Sequence, residues 1–182
     1  MTKPVLGLDR EHLIDYKLPA ETLLDIAKIV VVGAELDDAL SQCIARFTSK
    51  HRPATYMLLG RTGISTKIDQ LAYLYKSRGQ KEDLEQFKII EKPLRKFVSI
   101  RNLVCHAIYM GKHKESKSLI YLKPAEQYEP TENFATFKAA GISEEDLRVI
   151  AEHAPKIVEF FLQPLGAQSL RDTHFPEFRL PK

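Results

Sequence analysis

Residues 28–33 read Lys28-Ile29-Val30-Val31-Val32-Gly33, and the fold class turns on whether this run is a strand or the middle of a helix. Four β-branched residues ending in glycine suit the first strand of a dinucleotide-binding domain. That fold needs a Gly-x-Gly-x-x-Gly turn, which Gly33-Ala34-Glu35-Leu36-Asp37-Asp38 does not supply. Over residues 21–48 the apolar positions, from Leu24 and Ala27 through Val31, Ala34 and Leu36 to Leu40, Cys43 and Phe47, recur at steps of three and four. The stretch is therefore read as a long amphipathic helix after Pro19, and a bound dinucleotide is not expected.

Working outward, His51-Arg52-Pro53 and the glycines Gly60 and Gly63 read as a loop leading to Ser65, which caps a helix through Leu74 that stops at Gly79. Residues 60–67 lack the Gly-Lys-Ser/Thr order of a phosphate loop and read as a connector. From Lys81 a helical pattern of Leu84, Phe87, Ile90, Leu94, Phe97 and Ile100 runs on, with Pro93 expected to kink or divide it. Residues 106–111 and 118–122 suggest two short strands around a polar turn. Ser143-Glu144-Glu145-Asp146 is close to a capping box opening a helix from Glu144 to about Leu162, before Pro164. The expected fold is mainly all-α: an antiparallel four- or five-helix bundle with a small β-hairpin. Its expected divisions are an N-terminal arm (1–19), a helical domain (20–163) and a C-terminal tail (164–182) that drapes on the surface or pairs with another chain.

A chain of 182 residues, 44% hydrophobic and 28% charged, fits one domain with a proper core, and 8 glycines argue against a turn-rich all-β design. Cys43 and Cys105 have no ligand-like spacing, so neither a disulfide framework nor a zinc site is expected. The first residues lack the apolar core of a signal peptide, and residues 29–34 fall far short of the roughly 18 apolar residues that cross a bilayer. A cytoplasmic protein without membrane partners or cofactors is expected. Charge is uneven: residues 76–117 carry 11 Lys and Arg against 5 Asp and Glu, whereas residues 118–182 carry 7 against 10. A basic excess concentrates polyanions near it, and Arg95, Lys96, Lys112 and Lys114 are its candidate RNA contacts. A solvated helix face explains the Lys88, Lys92, Arg95 and Lys96 spacing equally well.

Within this basic region lies Arg101-Asn102-Leu103-Val104-Cys105-His106. An arginine offers a planar fork of donors for a phosphodiester, and a histidine can both take and give a proton near neutral pH. Asn102 and His106 are one step of four apart, about 40° around a helix, so Asn102 is placed to orient the imidazole. Arg101 and His106 are about 140° apart, which brings them together only if the helix breaks or two copies meet at a two-fold axis. Such a cleft could cut RNA without metal, because the ribose 2′-hydroxyl is an internal nucleophile that His106 can deprotonate while Arg101 stabilises phosphoryl charge.

The Arg-Asn-x-x-x-His segment, following a helix in a helical chain, resembles the Arg-x4-6-His signature of the HEPN superfamily. The order of elements is similar to bacterial HEPN proteins of the abortive-infection type over residues 20–163. The resemblance implies a helical bundle that dimerises through the motif-bearing helices, metal-independent endoribonuclease activity of a toxin or phage-defence kind, and an antitoxin or regulatory partner. It implies catalytic roles for Arg101 and His106, with Asn102 supporting. Non-catalytic binding or dimerisation modules for a nucleotide, RNA or protein also occur in the family and are the alternative. Two features depart from relatives: Tyr109 follows His106 by three residues rather than two, and Ala107 stands where many have glycine.

Glu35, Asp37 and Asp38 could give the motif an acidic partner or lie on the surface. Tyr56, Tyr73, Tyr75 and Tyr109 could stack on bases, with packing the safer reading. His113, in Lys112-His113-Lys114, could touch phosphates at the cleft edge or sit in a solvated loop.

Overall fold

A computed structural model describes residues 12–14, 16–48, 52–77, 81–124 and 137–162. The chain is mainly helical, with α1 (Ala20–Thr48), α2 (Arg52–Leu59), α3 (Ile64–Ser77), α4 (Lys81–His106) and α5 (Glu144–Leu162). The strands β1 (Leu13–Ile14), β2 (Ile108–His113), β3 (Leu119–Pro124) and β4 (Phe137–Ile142) form an antiparallel sheet in the order β1-β2-β3-β4. The tail expected over 164–182 lies outside the described residues, as does most of the arm.

The deciding run is helical. β-Branched residues cost a few tenths of a kcal/mol each in a helix, roughly, and burial of one face outweighs that. Ile29, Val32, Leu36, Leu40 and Cys43 are buried at helical spacing, against α5, α3 and α4. Leu24 and Val31, counted with the apolar pattern, instead face solvent together with Leu23 and Val30.

The reading of Pro53 needs correction, and one of the two open at Pro93 is excluded. The segment read as a loop at Arg52-Pro53 is the helix α2, in which Pro53 occupies the first turn, where a missing N–H forfeits no helical bond. Pro93 does not divide α4, which continues from Lys81 to His106. Ile90, Leu94, Phe97 and Val98, buried on both sides of the proline, hold the element in one piece despite the lost backbone bond.

Contacts fix the helix directions. Phe87 of α4 meets Tyr75 of α3 at 5.4 Å and Phe161 of α5 at 6.5 Å between ring centroids, while Arg95 reaches Asp69, so α4 opposes both. Helices α1 and α5 run the same way, because Thr22 donates to Glu144 Oε1 at 3.1 Å near their starts and Cys43 Sγ donates to the Phe161 carbonyl at 3.1 Å near their ends. A chain leaving α4 is therefore already at the end where α5 begins, and the sheet lies at that end, with Lys112 of β2 paired to Glu144 at the start of α5.

The hairpin β2–β3 is present, extended on both sides by β1 and β4, which the sequence reading lacked. Gly111 explains the β1 addition. Its φ is +120°, and a Cβ there would stand 2.5 Å from the Ile14 carbonyl oxygen, so only glycine lets β1 close on β2. Ser143 caps α5 as expected: Asp146 N–H donates to Ser143 Oγ at 3.0 Å, a contact worth about 1 kcal/mol. Lys112 pairs with Glu144 at 2.7 Å, Tyr16 donates to the same carboxylate at 3.2 Å, and Tyr109 donates to the Tyr16 carbonyl. This network ties the N-terminal segment, α1, β2 and α5 together. Burial of the Glu144 carboxyl opposes ionisation, yet Lys112, Thr22 and Tyr16 outweigh it and hold its pKa below the ordinary value.

Candidate functional site

The last turn of α4 carries the motif, and Arg101 and His106 meet within one uninterrupted helix. Arg101 Nη1 lies 3.2 Å from His106 Nε2 and donates to Asn102 Oδ1 at 3.0 Å. The expectation that the pair needs a helix break or a second copy is thus corrected: the long arginine side chain spans the angular gap to a histidine that ends its helix. An arginine has no acceptor, so Nε2 of His106 must accept, which puts the ring proton on Nδ1. Asn102 holds Arg101 rather than the imidazole, the other partner assignment the geometry changes.

Gly33 of α1 makes room for Arg101. A Cβ there would lie 2.9 Å from Arg101 Cγ and 3.2 Å from its Nε, so the guanidinium stem lies directly on the α1 backbone. Arg101 Nε is buried with no hydrogen-bond partner among the described residues, leaving the outer nitrogens to act. Helix propensity favours alanine over glycine by about 1 kcal/mol, so Gly33→Ala is expected to leave the melting temperature unchanged or raised while displacing Arg101. On the ribonuclease reading, cleavage by this variant falls about tenfold or more, since misplacing a charged donor costs much of its effect. Thermal melting and single-turnover cleavage on the same preparation check both halves.

Arg101, Asn102 and His106 line a cleft of about 1210 Å³ whose other walls come from the start of α3, the turn after β2, and β3 and β4. Asn102 and His106 are exposed in it. His113 and Lys123 join them, and the first N–H groups of α3 at Ile64 and Ser65 add the partial positive charge of a helix start. Among the described residues the carboxylate lining the cleft is Asp37, and it is neutralised by the fully buried Lys67 of α3 at 2.7 Å. The cleft is therefore open and basic.

Other candidates sit elsewhere. Arg95 pairs with Asp69 at 2.6 Å and Glu91 at 2.8 Å, and Lys112 with Glu144, so both basic side chains are engaged and neither lines the cleft. Lys96 Nζ is buried on α4, and Lys114 is exposed in the turn after His113. Glu35 is exposed, and Asp38 accepts from Gln42 at 2.7 Å. Tyr75 is buried between Phe47 and Phe87, Tyr109 packs on Tyr121, and Tyr73 is exposed; the side chain of Tyr56 lies outside the described residues. Sequence reasoning missed Gly33 as the seat for Arg101, Lys67 as the partner of Asp37, and α3 as a wall. Only Gly33 carried a usable signal, as a glycine inside a strong helix.

Chemically, this arrangement offers a cationic fork seated on α1, an imidazole nitrogen held as an acceptor, and a basic cleft for a polyanion. Among the described residues no three His, Cys, Asp or Glu side chains gather as a metal-ligand set. No helix among them is long and apolar enough to cross a membrane. Comparison with known family models, curated proteins and solved structures finds no match for this chain.

Proposed function

We propose that the protein is a HEPN-like, metal-independent endoribonuclease, a helical bundle working in the cytoplasm as a toxin or in phage defence. The observation that carries this reading is the Arg101–His106 contact at 3.2 Å, in a basic cleft that is open in the single chain. In the resting protein Arg101 covers His106 Nε2. A phosphodiester entering the cleft draws Arg101 onto a phosphoryl oxygen and uncovers that nitrogen. His106 then takes the 2′-hydroxyl proton, the 2′ oxygen bonds to phosphorus, and the bond to the 5′ oxygen breaks. The departing oxygen takes a proton from water, His106 returns its own to solvent, and the products end in a 2′,3′-cyclic phosphate and a 5′-hydroxyl. Incubation with RNA in excess EDTA, with the ends analysed, tests it. Intact RNA bound by folded protein would favour a binding or dimerisation module instead.

A second copy of the chain suits the exposed face of α1, where Leu23, Leu24, Val30 and Val31 are 51%, 60%, 36% and 57% exposed. The stripe extends to Ala34, which is in the cleft wall, so a copy seated there would border the site. Val31→Glu is expected to convert a dimer into a monomer by sedimentation, without loss of helix content; an unchanged sedimentation coefficient would place the interface elsewhere. An antitoxin or regulatory protein would restrain the activity in the cell.

A further inference from the structure

The cleft holds a second imidazole, that of His113, in the last position of β2. Ser116 N–H donates to its Nδ1 at 3.2 Å, while the His12 ring stacks beside it with centroids 6.0 Å apart and planes inclined by 21°. A backbone N–H can only donate, so Nδ1 must accept and the ring proton sits on Nε2. His106 is in the opposite tautomer, with Nε2 as acceptor and Nδ1 carrying the proton. One cleft thus contains a histidine prepared to receive a proton and a histidine prepared to donate a hydrogen bond. The turn fixes the second role: Lys117 N–H donates to the His113 carbonyl at 3.0 Å and His113 N–H to the Ser118 carbonyl at 2.8 Å, so the residue is anchored by its own backbone.

Protonating His113 at Nδ1 would set two donors against each other at the Ser116 contact. In this tautomer the ring carries an Nε2–H that can serve as a hydrogen-bond donor. Charge in the ribonuclease reaction gathers on the non-bridging phosphoryl oxygens, which an Nε2–H on a second wall of the cleft is suited to meet. Resting on the ribonuclease reading, we propose that His113 is a further catalytic residue, a neutral hydrogen-bond donor to a non-bridging phosphoryl oxygen of the scissile phosphate. The charged and titratable groups that share its cleft are Lys123 on β3, Arg101 and His106 on α4, and Asp37 on α1, with His12 in the stack.

The test compares wild type, His113→Ala and His113→Gln in single-turnover cleavage of a short oligoribonucleotide in EDTA, across acid to alkaline pH. A glutamine amide N–H replaces the imidazole Nε2–H at similar reach and does not titrate. His113→Ala is expected to lose about 100-fold in kcat with little change in KM, the usual cost of removing one oxyanion donor. His113→Gln is expected to keep most of the activity and every limb of the wild-type pH profile. Wild-type rates in His113→Ala, with cleavage still dependent on His106, would overturn the proposal and leave the ribonuclease reading standing. Equal losses in both variants, together with a vanished pH limb in His113→Gln, would overturn it in favour of proton transfer. No cleavage by wild type would overturn it together with the reading it rests on.

Discussion

His106→Ala is expected to lower single-turnover RNA cleavage about 1000-fold while leaving circular dichroism and melting unchanged. The size follows from what is removed. General-base catalysis contributes roughly 100- to 10,000-fold, and Nε2 of His106 is the acceptor that Arg101 marks in the resting cleft. The absence of a stability effect follows from position, because His106 is exposed at the last residue of α4 and Arg101 keeps its bond to Asn102 Oδ1. Arg101→Ala should be similarly inactive, but it also empties the seat beside Gly33, so the histidine variant is the cleaner comparison. A His106→Ala protein that cut RNA at the wild-type rate would remove the imidazole from the mechanism.

The largest stability effect is expected at Asp37, beside the cleft. Lys67 is wholly buried, and its ammonium donates to Asp37 Oδ1 at 2.7 Å and to the Asp37 carbonyl oxygen at 3.4 Å. Asp37→Ala leaves that charge buried with only the longer contact. Stranding one member of a buried pair costs roughly 3–5 kcal/mol, and the 37% exposure of the Asp37 side chain, which admits water, sets the expectation at the low end, about 3 kcal/mol. For a protein of this size that is a fall of roughly 10 °C in melting temperature. The double variant Asp37→Ala with Lys67→Met should recover much of the loss, because an apolar chain of similar length needs no partner in that position. Urea unfolding of the two variants reads the difference; equal stabilities would mean that the ion pair is not what holds α3 to α1 there.

The long helix α1 was legible because burial at steps of three and four leaves a mark that β-branched composition cannot hide, and the start of α5 because Ser143 and Asp146 have the spacing of a cap. The antiparallel sheet was legible only as a hairpin. Its outer strand β1 depends on Gly111 meeting Ile14 across nearly a hundred residues, and no local pattern encodes such a contact. Pro53 was taken as loop chemistry when it stands in a first turn, and of the two outcomes open at Pro93, a kink or a division, the continuous α4 excludes the division. At the site, residue types pointed to Arg101 and His106, but the angular argument underestimated the reach of an arginine at a helix end. Charge was the least informative signal. Arg95 and Lys112 contribute to the basic excess of their segment, yet each meets a carboxylate from another element, which a count along the chain cannot register.

The most direct measurement uses two otherwise identical oligonucleotides, one all-ribose and one with a single 2′-deoxyribose at the cleavage position, incubated with the purified full-length chain in excess EDTA. The account expects the first to be cut to a 2′,3′-cyclic phosphate and a 5′-hydroxyl end and the second to survive. Cleavage of the deoxy substrate at that position, 3′-hydroxyl products, or intact RNA after incubation with the folded protein would contradict it.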